Sequence, residues 1–172
     1  FDVDSGAAQG PNAEGELWIR GPQIMRGYLN QATATADSID ENGWYRTGDI
    51  GYADEEGFFY IVDRVKELIK YKGLQVSPAE LEALLLTHPE IIDAAVIPIP
   101  DEEAGELPKA YVVTRTGDLD NEPLAAQIMA FMAELVSPHK RIRVIEFCGA
   151  IPKSASGKIL RRVLVEQTRS GT

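Results

Sequence analysis

The sequence of 172 residues has little of what marks several large protein classes. It contains one cysteine, Cys148, so no disulfide can close within the chain and no cysteine-based zinc site can form. A reducing compartment such as the cytoplasm is therefore expected. No apolar run approaches the roughly 18 residues that a membrane-spanning helix needs, and no membrane span is expected. The opening Phe1-Asp2-Val3-Asp4 has neither the basic region nor the apolar stretch of a signal peptide, and it is not expected to act as one. A basic excess is also missing: 17 Lys and Arg face 27 Asp and Glu, for a formal charge of −10. That balance argues against a nucleic-acid partner. The two histidines, His88 and His139, adjoin prolines at helix ends and have no neighbours at metal-ligand spacing, so both read as structural and no protein-held metal is expected. Internal repeats, low-complexity tracts and a nucleophile elbow are absent too.

What is present describes an ordinary globular chain. A hydrophobic fraction of 44% supports a buried core, and the length fits one domain or two small ones. The charge is uneven. Residues 1–62 hold three basic and eleven acidic residues, a net of −8, whereas residues 63–172 hold fourteen basic and sixteen acidic, a net of −2. A small anionic ligand needs only a few well-placed cations, and the second part can supply them.

The first third predicts strands and turns: a strand over 16–20 (ELWIR), a short polar helix or loop over 30–38, and a hairpin joining 49–52 to 58–62 through Asp54-Glu55-Glu56-Gly57. About sixty residues with a few short strands make no complete core. The second part predicts a tight hairpin, 68–70 and 74–76 about Tyr71-Lys72-Gly73, with Gly73 at positive φ. A helix follows, opened by Ser77-Pro78-Ala79-Glu80 and striped by Leu81, Leu84 and Leu85. Buried strands are expected at 93–99 and 110–114, with Pro98 and Pro100 marking an edge or an exit. A helix from Asn121 with Leu124, Ile128, Phe131, Met132 and Leu135 on one face, a strand at 143–147, a loop at 151–157 and a last helix over 158–167 complete the pattern. This is an α+β domain of about 110 residues behind β-rich material.

Three stretches could carry chemistry. In Tyr45-Arg46-Thr47-Gly48-Asp49 a carboxylate beside a glycine turn can accept two hydrogen bonds from ribose hydroxyls, or can simply cap the turn. In 63–73 (DRVKELIKYKG) four cations, Arg64, Lys66, Lys70 and Lys72, fall within nine residues. They form a solvated basic face or a phosphate-contacting hairpin in which Gly73 permits close backbone approach. In 151–158 (IPKSASGK) the Gly157-Lys158 pair invites a P-loop reading. That pattern requires an earlier glycine, and positions 152–154 hold Pro, Lys and Ser, so it fails. What remains is Lys158 on a mobile, open loop able to swing into a site formed elsewhere.

In this order 15–28, 45–49, 63–82 (DRVKELIKYKGLQVSPAELE) and 152–162 (PKSASGKILRR) resemble the motifs of the adenylate-forming superfamily. That superfamily includes the acyl- and aryl-CoA synthetases and the luciferases. KELIKYKG and the 108–113 run PKAYVV are most similar to 4-coumarate–CoA ligases and luciferase-like CoA ligases. His139 and Cys148-Gly149 depart from the usual residues outside the motifs. The resemblance implies a two-step reaction: a carboxylic acid attacks the α-phosphate of ATP, with Mg²⁺, to give acyl-AMP, and the coenzyme A thiol then displaces AMP. It also implies a domain organisation. Residues 1–62 would be the tail of a large N-terminal domain whose phosphate loop and acyl pocket are not in this chain. Residues 63–172 would be a small mobile C-terminal domain with a β-hairpin and a short mixed sheet packed by helices.

By the same resemblance Asp49 would bind the ribose, Asp63 would be the hinge, and Arg64 would reach the nucleotide. Lys158 would enter the site for adenylation. The opposite pose would bring Lys66 and Lys70 near the acyl-adenylate, with Lys70 catalytic and Gln75 at the adenylate. Lys72 and Gly73 would line the CoA path. The chain alone would be inactive. A stand-alone nucleotide- or CoA-binding module and a luciferase-like or carrier-loading enzyme stay open beside this reading.

Overall fold

The computed structural model describes residues 1–170, and the chain forms two compact units, Phe1–Lys66 and a second that begins at Glu67.

The first unit contains β1 (Gly15–Ile19), α1 (Ala32–Ser38), β2 (Tyr45–Ala53) and β3 (Phe59–Arg64), with the strands in one antiparallel sheet of order β1-β2-β3. Asp54 shapes the β2–β3 turn: its Oδ1 accepts from the amides of Glu56 (3.0 Å) and Phe58 (2.9 Å). The register of β1 against β2 shifts between Glu16 and Trp18, a bulge that falls opposite the Gly48 region. Ile50 is the one buried large apolar side chain among the described residues of this unit, while Phe58, Phe59 and Ile61 are each at least 60% exposed. The core is incomplete, as the sequence leads one to expect.

The second unit contains β4 (Ile69–Tyr71), β5 (Leu74–Val76), α2 (Pro78–Leu85), β6 (Ile91–Asp101), β7 (Gly105–Thr114), α3 (Glu122–Leu135), β8 (Val144–Phe147) and α4 (Arg161–Ser170). Its sheet runs β5-β4-β7-β6, with β8 added to β7 in parallel, so the sheet is mixed. Alternation along β6 and β7 splits the core in two. Ala94, Val96, Ala110 and Val112 face α2 and α3 through Leu81, Leu85, Ile128 and Met132. Ala95, Ile97, Tyr111 and Val113 face Ile151 and Leu164. A sheet covered on both faces needs unbroken apolar strands, which explains the AAVIPIP and AYVV runs.

The helix signals act as expected. Ser77 Oγ accepts from the Glu80 amide at 3.3 Å with Pro78 behind it, and Asn121 Oδ1 accepts from the Leu124 amide at 3.0 Å. Of the two alternatives for Pro98 and Pro100, edge or exit, the edge is what forms: β6 continues through both prolines to Asp101. It can do so because β6 pairs only with β7, and an edge strand tolerates a missing N–H. The last helix starts at Arg161 and not at Lys158, because residues 152–160 use their backbone groups to form a small hairpin of their own.

Leu81 is fully buried beneath the sheet. Leu81→Ala is expected to cost about 2–5 kcal/mol in urea unfolding, with an unchanged slope against denaturant.

Candidate functional site

The residues singled out from the sequence fall into three groups. The first lies in the first unit. Asp49 on β2 pairs with Arg64 on β3 in strand register, and Arg64 Nε meets Asp49 Oδ1 at 2.9 Å. The Arg64 side chain stays 64% exposed, so the pair sits at the surface and its contribution to stability is small. The Asp49 turn is held from several directions. Its amide donates to Thr47 Oγ1 (3.0 Å), whose hydroxyl donates to the Leu17 carbonyl (2.7 Å), and the Gly48 amide donates to Glu16 Oε1 (3.0 Å). Gly48 has φ of 73°, which a side chain would oppose. Asp63 is 8% exposed, and its Oδ1 accepts from the Arg64 amide at 2.7 Å.

Beside this group the structure pairs two tyrosines to which sequence reasoning assigned no separate role. Tyr45 shares a hydrogen bond with Tyr28, which raises its phenol above the ordinary value together with burial and the negative charges of Tyr28 and Asp49; Arg64 opposes the rise. The clue available was Tyr45 four residues before Asp49 on one strand. A cavity of about 350 Å³ elsewhere in this unit is lined by Trp18, Trp44 and Tyr52 and includes none of the expected site residues.

The second group is the β4–β5 hairpin. Lys70 stands opposite Gln75, and the two-residue turn is Lys72-Gly73, with φ of 49° and 79°. Positive φ at both positions is the primed turn that matches strand twist. Only Gly73 was expected there. The turn persists with a lysine because the Lys72 amide donates to the Ala104 carbonyl at 2.8 Å, and its ammonium pairs with Glu103. The hydrogen bond and the charge of Glu103 raise the Lys72 ammonium above its usual value. Glu106 supports the neighbouring strand by accepting the Lys70 amide at 2.8 Å. Lys66 is exposed in a 3-10 turn, Val65–Glu67.

The third group is Lys158 on the 152–160 hairpin. The open loop expected there is in fact closed by hydrogen bonds: Leu160 N to Pro152 O (2.8 Å), Ser154 N to Lys158 O (2.8 Å) and Gly157 N to Ser154 O (2.9 Å). Gly157, at φ of 81°, takes the left-handed position of a three-residue hairpin turn. Lys158 itself is exposed, and among the described residues its ammonium makes no ion pair.

One cation is paired on both sides. Arg161, at the start of α4, meets Glu67 with Nη1 and Glu82 with Nη2, the latter at 2.7 Å. Glu82 in turn accepts the Val96 amide at 2.8 Å. Among the described residues no group of three His, Cys, Asp or Glu could hold a metal ion. No helix among the described residues is long and apolar enough to cross a membrane.

The model of the AMP-binding enzyme C-terminal domain matches residues 80–158 and ends on Lys158. Residues 80–158 belong to the AMP-binding enzyme C-terminal domain family, and the chain as a whole is similar to the C-terminal portion of larger CoA ligase-like proteins. Over 99% of its length it is 56% identical to a protein named peroxisomal OPC-8:0-CoA ligase 1 of Arabidopsis thaliana, of which it spans 31%. Over 97% it is 57% identical to probable CoA ligase CCL5 of Humulus lupulus, of which it spans 30%. Among solved structures it is similar to ATP-bound MatB of Rhodopseudomonas palustris, at 28% identity and a TM-score of 0.85, covering 96% of this chain and 32% of that one. It is also similar to o-succinylbenzoate CoA synthetase of Bacillus subtilis with its acyl-adenylate, at 34% identity and a TM-score of 0.76, covering 93% and 32%. The chain therefore spans about three-tenths of the relatives it matches, and the matched AMP-binding C-terminal domain lies within its second unit.

The bidentate use of Arg161 gives the prediction for this region. Arg161→Ala leaves Glu82, whose side chain is 10% exposed, without its cation. It is expected to cost roughly 3 kcal/mol in chemical denaturation.

Proposed function

We propose that the chain is the C-terminal part of an ATP-dependent carboxylate–CoA ligase, 4-coumarate–CoA ligase-like, acting in the cytoplasm. The observation that carries this reading is 56% identity across 99% of the chain to a CoA ligase. In the proposed reaction a substrate carboxylate oxygen attacks the α-phosphorus of ATP and pyrophosphate leaves. The CoA thiolate then attacks the acyl carbon of the mixed anhydride, and AMP leaves with the bonding pair. Mg²⁺ would travel with ATP, since no cluster described here would hold it.

In this reading Asp49 accepts the ribose hydroxyls, Arg64 reaches the nucleotide and Asp63 is the hinge. Residues 1–62 are then the tail of a larger domain, and 63–172 are the mobile one. Lys158 neutralises charge between the α-phosphate and pyrophosphate during adenylation. Its support is an exposed ammonium, with no ion pair among the described residues, on a short hydrogen-bonded hairpin. Lys66, Lys70 and Gln75 serve the acyl-adenylate in the second half-reaction, with Lys72 and Gly73 along the CoA path. The acyl pocket and phosphate loop belong to the remaining seven-tenths or so of the relatives' length.

Two outcomes test the reading. The 172-residue chain alone is expected to give no ATP–pyrophosphate exchange, and measurable exchange would refute its inactivity. In the full-length ligase Lys158→Ala is expected to slow adenylation by roughly 10²–10³-fold. Thioester formation from supplied acyl-AMP should survive, and equal loss in both steps would break the assignment.

A further inference from the structure

We infer that Ser154 and the Asp93–Lys153 ion pair are positioning residues for Lys158, holding its backbone in one place so that only the four-carbon side chain is left to order during adenylation. This rests on the role proposed above for Lys158.

The argument begins with the backbone around that lysine. Ser154 touches three places in the turn. Its amide donates to the Lys158 carbonyl (2.8 Å), its carbonyl accepts from the Gly157 amide (2.9 Å), and its Oγ accepts from the Lys158 amide (3.2 Å). Both backbone polar groups of Lys158 are thus bound to one residue. The Ser156 hydroxyl lies 2.9 Å from Ser154 Oγ and shares its hydrogen bonding. A hairpin so closed moves as one piece.

The piece must also be fixed to the body of the unit. Lys153, bridged to Ile159 across the hairpin, extends its ammonium to Asp93 Oδ2 at 2.6 Å. Asp93 lies near the start of the edge strand β6, opposite Val113, and its other oxygen accepts the Ala94 amide at 3.1 Å. From the sheet to Lys158 there is therefore a continuous path: β6, Asp93, Lys153, Ser154, Lys158. Ile151, 6% exposed, anchors the entry to the hairpin in the core, and Leu164, 2% exposed, anchors the helix beyond it.

The geometry has a kinetic consequence. A lysine that must meet a phosphate during one half-reaction loses rate when its Cα wanders, since small displacements of a charged group are costly at the reacting centre. Thioester formation does not use Lys158, so a loosened hairpin leaves that step alone. A residue that merely holds the fold together would affect both.

The experiment uses the full-length ligase carrying Ser154→Ala, Ser154→Thr, Asp93→Asn and Lys158→Ala. ATP–pyrophosphate exchange is measured beside thioester formation from supplied acyl-AMP. Ser154→Ala and Asp93→Asn are expected to lower adenylation kcat about 5-fold or more and to leave the thioester step within about 2-fold. Ser154→Thr, which keeps the hydroxyl, is expected to recover most of the loss. Selective loss of adenylation with recovery by threonine supports the inference. If Lys158→Ala slows adenylation while Ser154→Ala and Asp93→Asn do not, or if those two depress both half-reactions equally, the inference falls and the proposed role of Lys158 stands. If Lys158→Ala leaves adenylation intact, the proposed role falls and the inference falls with it.

Discussion

The second unit depends on one guanidinium. Arg161 stands between Glu67 and Glu82 and thereby ties the start of the last helix to the start of the unit and to α2. Through Glu82 the tie reaches the Val96 amide on β6, which faces away from the sheet and would otherwise lack a partner. A planar cation with donors on two arms suits this position, and lysine could not serve both carboxylates with the same geometry. The arrangement carries a cost: Arg161 Nε is buried without a partner among the described residues. Specific placement of three elements offsets that loss. It also means that the segment following Lys66 is fixed to the body of the unit from its first residue.

The two units differ in kind. The second has a two-sided core and many satisfied polar groups, as expected of a domain that folds as one piece. The first has one buried large apolar side chain and a row of exposed aromatic and aliphatic residues on β3. Its ordered polar chemistry gathers instead around Asp49, where Thr47, Glu16 and Arg64 hold the turn. Asp49, Arg64 and Lys66 therefore sit on a unit with little core, and Lys70, Lys72, Gln75 and Lys158 on one with a two-sided core.

Much of this was legible from residue order. Ser77-Pro78 and Asn121-Glu122-Pro123 announced their helices because local capping chemistry decides a helix start. The incomplete first unit was legible because too few apolar residues alternate there. Other features depend on distant partners, and sequence spacing does not show them. Lys72 reads as part of a solvated basic face or a phosphate-contacting hairpin, but Glu103 lies against it because the β6–β7 turn folds beside the β4–β5 turn. Glu82 is 7% exposed on α2, and the cation that pairs with it there, Arg161, is seventy-nine positions away. The 152–160 segment reads as an open loop, since Pro, Ser, Ala and Gly signal a turn without saying that its ends will bond to each other. Asp49 and Arg64 were both candidates, but only the β2–β3 register made them a pair.

The prolines of β6 have a consequence beyond pairing. An edge strand with free N–H groups is a template for any other strand. On β6, Pro98 and Pro100 have no N–H to offer, and the Val96 N–H is already taken by Glu82. The long outer strand thus has few groups with which to recruit a second molecule. The edge position that tolerates Pro98 and Pro100 is the position at which they limit edge-to-edge association.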